Sequence, residues 1–238
     1  MRYKALIFDL FGTLVPSYSR RAYDQVLEET AAVLHAPHPE FREAMKRLFY
    51  ERAVGTSRSV EENLVEACRR LDRKANRSQI AQAAALRYRF TQKSLIPNAE
   101  TLKALAQLKS RGHLLGMITN CAADTLKCFP HSPLAKHIDA AIFSCEERIK
   151  KPARAIYETA CRRLNVKPQE CVYIGDGSGE ELTGAAAVGM FPILKRVDLT
   201  DVYDPHRPDV ENWRGVEIDE IAELCEMTFE NHHERVRV

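Results

Sequence analysis

Four short sets of residues carry groups able to do chemistry, and each stands after an apolar run. Asp9-Leu10-Phe11-Gly12-Thr13-Leu14 follows Ala5–Phe8, and Thr119-Asn120 follows Leu114–Ile118. Lys151-Pro152 comes after Ala140–Phe143, and Gly175-Asp176-Gly177-Ser178-Gly179-Glu180-Glu181 follows Val172–Ile174. Brought to one place, two carboxylates, a hydroxyl with an amide, and one lysine suit the joint binding of a divalent cation and an anionic group. Each set also has a plainer reading. Asp9 is a turn former before Gly12, Asp176 and Thr119 are helix caps, and Lys150 or Arg148 replaces Lys151 as the functional cation.

The elements needed to gather these groups are visible in the periodicity. Ala5–Phe8 is a continuous apolar run, as expected for a strand buried on both faces of a parallel sheet. From Pro16 to Lys93 the pattern turns helical. Phe41, Met45, Leu48 and Phe49 fall on one face, as do Val60, Leu64, Ala67, Cys68 and Leu71. Breaks at Ala36–Pro39, Gly55–Ser59 and Lys74–Ser78 predict about four helices. After Pro97, helices alternate with short apolar strands at Leu114–Ile118, Ala140–Phe143, Val172–Ile174 and Phe191–Leu194. A helix is predicted over Glu180–Val188, and a last one carries Ile218, Ile221, Cys225 and Phe229. This alternation predicts an α/β fold, a doubly wound parallel sheet interrupted after its first strand by an all-α insertion. In such sheets ligands collect beyond the carboxyl ends of the strands, where the four sets stand. The tail Asn231–Val238 reads as a charged, poorly ordered end.

Composition narrows the function classes. The 238 residues are 45% hydrophobic and 29% charged, which excludes collagen-like and disordered chains. A formal net charge of +2 with no basic block argues against nucleic acid. The longest nearly apolar run, Gly184 to Leu194, is far short of the ~20 residues that span a bilayer. Asp9 interrupts the first apolar stretch, so a secretory signal fits poorly. Seven scattered cysteines without a C-x-x-C pair read as free thiols in a reducing compartment, and the expected location is cytoplasmic. Gly175-x-Gly177-x-Gly179 has the wrong spacing for a dinucleotide loop. His232 and His233 lack further ligands at metal-site spacing, and Cys121 has no histidine in a nucleophile pattern.

In this order, D-x-x-G-T-L at Asp9, T-N at Thr119, K-P at Lys151 and G-D-x-x-x-x-E at Asp176 resemble the four motifs of the haloacid dehalogenase superfamily of hydrolases. The likeness covers nearly the whole chain, since a helical insertion after the first motif resembles that superfamily's type-one cap. It implies a Rossmann-like core at 1–15 and 95–238 and a helical cap at 16–94, hinged near Pro16 and Pro97. It further implies Asp9 as a carboxylate nucleophile and Mg²⁺ held by Asp9, Asp176 and the backbone carbonyl of Phe11. Thr119 and Asn120 would bind the transferred group, and Lys151 would neutralise developing charge. Glu181, five residues beyond Asp176, matches the second acidic position, with Glu180 an open alternative.

The sequence departs from the phosphatase pattern at Phe11. Family phosphatases carry a second Asp there as general acid and base, a role typically worth ~10²–10⁴ in rate. Poor leaving groups should suffer most, acyl and aryl phosphates least. An aromatic at this position resembles the 2-haloacid dehalogenase branch, whose halide needs no proton, but that branch works without metal and lacks Gly175-Asp176. That branch also uses a cap arginine; Arg42 falls in the region, though no motif assigns it. The leading expectation is Mg²⁺-dependent hydrolysis of a small phosphorylated compound through Asp9. The alternatives are metal-independent dehalogenation through an Asp9 ester, and a non-catalytic protein holding Mg²⁺ and an anion. The expected partner is a small anionic molecule, with no nucleic acid, membrane or obligate protein partner.

Overall fold

The computed structural model describes residues 3–211 and 213–227. Strand β1 (Ala5–Phe8) is the centre of the molecule. Helices α1 (Arg20–Val33), α2 (His38–Arg47), α3 (Phe49–Ala53), α4 (Val60–Arg70) and α5 (Arg77–Ser94) follow it. The chain then alternates through α6 (Ala99–Ser110), β2 (Leu114–Thr119), α7 (Ala123–Cys128), β3 (Ala140–Phe143), α8 (Ser144–Glu147) and α9 (Arg154–Leu164). It ends with β4 (Cys171–Gly175), α10 (Glu181–Ala187), β5 (Phe191–Lys195) and β6 (Val216–Ile218). The six strands form one parallel sheet in the order β3-β2-β1-β4-β5-β6, a doubly wound α/β arrangement with the strand order of the Rossmann fold.

The continuous apolar run of β1 has a direct cause. Leu6 and Phe8 pack with Leu105, Leu108 and Leu224 on one face, while Ala5 and Ile7 pack with Ile156, Tyr157 and Leu182 on the other. Because side chains alternate along a strand, a sheet covered on both sides leaves no row for polar residues. The helices α1–α5 enclose a third cluster of their own around Leu27, Phe41, Leu48, Leu64 and Ala83. Their starts are set locally. Ser19 accepts from the Ala22 amide, Ser59 from that of Glu62, and Asn76 and Gln79 cap each other reciprocally. Instead of about four helices there are five, because Leu48 separates α2 from α3.

Two further expectations are corrected. Ile218 closes strand β6 rather than opening a helix, Ile221–Cys225 forms a 3₁₀ turn, and Phe229 lies outside the described residues, as does Asn231–Val238. The Glu223 carboxylate accepts from the Asp219 and Glu220 amides, which fixes the turn directly after the strand. The helix expected over Glu180–Val188 begins at Glu181, since Gly179 and Glu180 have φ of 59° and 56°. Among the described residues no helix is long and apolar enough to cross a membrane, and all seven cysteines are free and buried.

Candidate active site

The register of the sheet brings the sets together. Phe8 pairs with Met117 on one side and Ile174 on the other, so Asp9 emerges between the ends of β2 and β4. Its amide donates to the Ile174 carbonyl at 2.8 Å. Thr119 is the last residue of β2, and Asp176 follows Gly175, the last of β4. Both are almost wholly buried.

Lys151 reaches this point from the turn between α8 and α9. Its Nζ lies 2.5 Å from Asp9 Oδ1, 2.5 Å from Glu181 Oε2 and 3.2 Å from the Tyr173 hydroxyl. The side chains of Lys151 and Glu181 are 3% and 0% exposed. Burial alone would lower the lysine pKa, but the two carboxylates hold the ammonium charged, well above its ordinary range. Asn120 fixes the turn: its Oδ1 accepts from the Lys151 amide at 2.8 Å, and its Nδ2 donates to the Lys151 carbonyl at 3.2 Å. Both ends of the Asn120 amide therefore hold the lysine's backbone, a contact beyond the substrate binding expected from the sequence.

The tertiary structure places neighbouring residues differently. Glu181 is fully buried and receives Lys151, Tyr173 and the Gly177 amide, whereas Glu180 faces solvent. Lys151 is likewise inside, while Lys150 lies over the ring of Tyr50, 5.6 Å from its centroid.

Asp176 Oδ1 accepts from the Ser178 amide at 3.1 Å. Its Oδ2 is 2.7 Å from Arg207 Nη2, an ion pair, yet no donor among the described residues is directed along a hydrogen bond to that oxygen. Burial first, and then the charge of Asp9, push the Asp176 carboxyl up to about 6. Gly12 permits this closeness. Its φ is +89°, and a Cβ there would fall 2.0 Å from Asp176 Oδ2.

Two buried carboxylates, one with an oxygen that lacks a directed donor, are of the type that can hold a hard cation. Oxygens of Asp9, Asp176 and Glu181 lie within 4.8 Å of one another. Both Glu181 oxygens are taken, by Lys151, Tyr173 and the Gly177 amide. Asp9, by contrast, meets Lys151 through Oδ1 with only a long 3.4 Å contact from Thr13 on Oδ2, and Asp176 Oδ2 faces Arg207 without a directed hydrogen bond. Mg²⁺ is commonly held by one or two carboxylates with waters and substrate oxygens, so the donors present fit it.

Phe11 is half-buried. Its ring lies 4.5 Å from that of Tyr18, which continues to Tyr23 and Phe90. Three contributors escape sequence reasoning. Arg207 sits in the long connection from β5 to β6, where no local pattern signals it. Tyr173 reads as one more strand residue. Asp209 accepts from the Leu182 and Thr183 amides, capping α10 from a distance of 27 residues in sequence.

The Lys151 cluster is expected to be costly to break. Lys151→Met would leave Asp9 and Glu181 buried without their ammonium, at an expected ~3–5 kcal/mol of stability. Urea unfolding measures it, and a loss below ~1 kcal/mol would show that the carboxylates do not depend on the lysine.

The gathering of these motifs at the carboxyl edge of a doubly wound sheet defines a hydrolase of the haloacid dehalogenase type. Residues 3–189 match the haloacid dehalogenase-like hydrolase family, and the chain belongs to it. It is 26% identical over 235 residues to a glyceraldehyde 3-phosphate phosphatase of Methanopyrus kandleri, spanning 95% of this chain and 97% of that protein. A protein of the same name from Methanothermobacter thermautotrophicus is 33% identical over 139 residues, 56% of this chain and 59% of its own length. The fold also matches the L-2-haloacid dehalogenase of Xanthobacter autotrophicus with chloropropionic acid covalently bound. That comparison has a TM-score of 0.63 and 18% identity, covering 94% of this chain and 97% of the other.

Proposed function

We propose that the protein hydrolyses a small phosphorylated compound with Mg²⁺, through a phosphoryl group carried transiently on Asp9. The observation that carries this reading is the buried Asp9–Asp176 pair, whose Oδ2 at Asp176 lacks a directed donor. Retention of Gly175-Asp176, the form of this motif that suits a metal, favours this reading over halide displacement. The phosphatase names of the relatives support the same reading.

Asp9, Asp176 and the backbone carbonyl of Phe11 would hold the metal, which when bound neutralises charge on phosphoryl oxygens. A carboxylate oxygen of Asp9 attacks phosphorus, and the bond from phosphorus to the leaving oxygen breaks with its electron pair. Water then attacks the phosphorus of phospho-Asp9, releasing phosphate and restoring the carboxylate. Thr119 and Asn120 would hold transferred oxygens, and Lys151, kept charged and oriented by Glu181, would stabilise the negative charge that develops. Helices α1–α5, within the expected 16–94 segment, would act as a cap over the core of 1–15 and 95–238 and exclude water. Seven free thiols suit a cytoplasmic setting.

Phe11 favours a second reading, hydrolysis of a 2-haloacid through an Asp9 ester. Product release from acetyl phosphate, p-nitrophenyl phosphate and 2-chloropropionate, with Mg²⁺ and with EDTA, separates the two. Phosphate released only with Mg²⁺ is the expected result. Chloride release that ignores EDTA would replace it with the dehalogenase reading.

A further inference from the structure

A cavity of about 690 Å³ opens between helices α1, α2, α3 and α5 and the strand ends. Phe11, Asn120 and Arg207, which adjoin Asp9, Lys151 and Asp176, belong to its lining, so it borders the site described above. Four arginines of the helical segment also line it; Arg20 is exposed, and the pairing of the other three differs. Arg42 lies 3.7 Å from Asp24, and Arg87 lies 3.4 Å from Asp124. Arg52 has no carboxylate within ion-pair distance among the described residues, although it is only 6% exposed. Its Nη2 donates to the Met45 carbonyl at 2.9 Å, its guanidinium lies over the ring of Phe49, and its Nε is buried with no partner. A buried charge without a counter-charge is costly, and a ligand that supplies one recovers that cost on binding.

Arg87 adds a second unmet donor. Its Nη2 meets the Tyr23 hydroxyl at 3.2 Å and Asp124, while Nη1 is buried and free of partners. The two guanidinium groups line the same cavity. Burial would raise the Tyr23 hydroxyl pKa, but the charges of Arg87 and then Arg52 hold it below its ordinary range.

We infer that the substrate carries a second anionic group, a carboxylate or a further phosphate, at the end remote from the reacting phosphate, and that Arg52, assisted by Arg87, receives it. This rests on the reading of the site as one that takes a phosphate. Arg52 thereby selects bifunctional phosphates over simple alkyl phosphates of the same length.

The test is calorimetric binding, which needs no turnover. The probes are propylphosphonate, 3-phosphonopropionate and 1,3-propanediylbisphosphonate, titrated into wild type, Arg52→Gln and Arg52→Lys in the presence of Mg²⁺. A hydrogen-bonded charge contact leads to an expected preference of about tenfold or more for at least one doubly anionic probe over propylphosphonate in wild type. That ratio should fall towards one in Arg52→Gln and recover in part in Arg52→Lys, which also controls for a folding defect in the Gln variant. A wild-type ratio near one overturns the inference, as does a ratio that Arg52→Gln leaves intact. Which doubly anionic probe binds tighter distinguishes the carboxylate from the phosphate. Selectivity without acetyl phosphate hydrolysis would sink the proposed reaction alone; hydrolysis without selectivity would sink this inference alone.

Discussion

Asp9→Asn is expected to lower phosphate release from acetyl phosphate by at least ~10⁴-fold, the scale on which loss of a covalent nucleophile is felt. The amide keeps the shape of the carboxylate but is a far poorer nucleophile, and it removes one of the two charges that flank Lys151. Glu181 remains 2.5 Å from that ammonium, so the lysine is not stranded and the variant should fold. Steady-state release gives the magnitude. Acid quenching during turnover of radiolabelled acetyl phosphate gives the mechanism, because the wild type should retain base-labile label on the protein and the variant none. If the variant kept more than about a hundredth of the activity, the chemistry would belong to another group.

Phe11→Asp tests what the aromatic residue withholds. A carboxyl at this position could hand a proton to a departing alkoxide, and general acids typically contribute ~10²–10⁴ in rate. Turnover of an alkyl phosphate should therefore rise by about 10²-fold or more, with a far smaller rise for acetyl phosphate, whose leaving carboxylate needs no proton. The substitution has a structural cost. The Phe11 ring packs tilted against Tyr18 at 4.5 Å, and losing an aromatic pair of this kind costs roughly 0.5–1.5 kcal/mol. That is small beside the catalytic gain, so thermal unfolding and rate should move in opposite directions. If both substrates slow together, Phe11 is a packing residue in a site that does not use proton donation.

Much of this protein is legible in its amino-acid sequence, because the informative signals are local. A strand buried on both faces must be apolar at every position, and Ala5–Phe8 announces itself in four residues. Helix starts at Ser59 and Asn76 follow from side chains that cap amides three residues away. Asp9, Thr119, Lys151 and Asp176 stand immediately after apolar runs or at a helix entrance, so the rule that ligands gather at strand ends places them together. What stayed hidden depended on partners far away in sequence. Glu180 and Glu181 are indistinguishable as letters, and only the turn geometry at Gly179 and Glu180 sends one to solvent and the other to Lys151. Strand β6 is too short to carry a period, and its pairing with β5 defines it. Arg207, Asp209 and Arg52 carry no local signature at all. Their roles arise from which carboxylates and amides the folded chain sets beside them, or, for Arg52, from the absence, among the described residues, of any carboxylate within ion-pair distance. Local patterns along the chain are enough to give the sheet, the helical insertion and the chemical type of the site. Tertiary packing alone decided which charges are paired, which remain open to a ligand, and how close Asp176 comes to Asp9, because electrostatic cost is set by distance and burial and not by order along the chain.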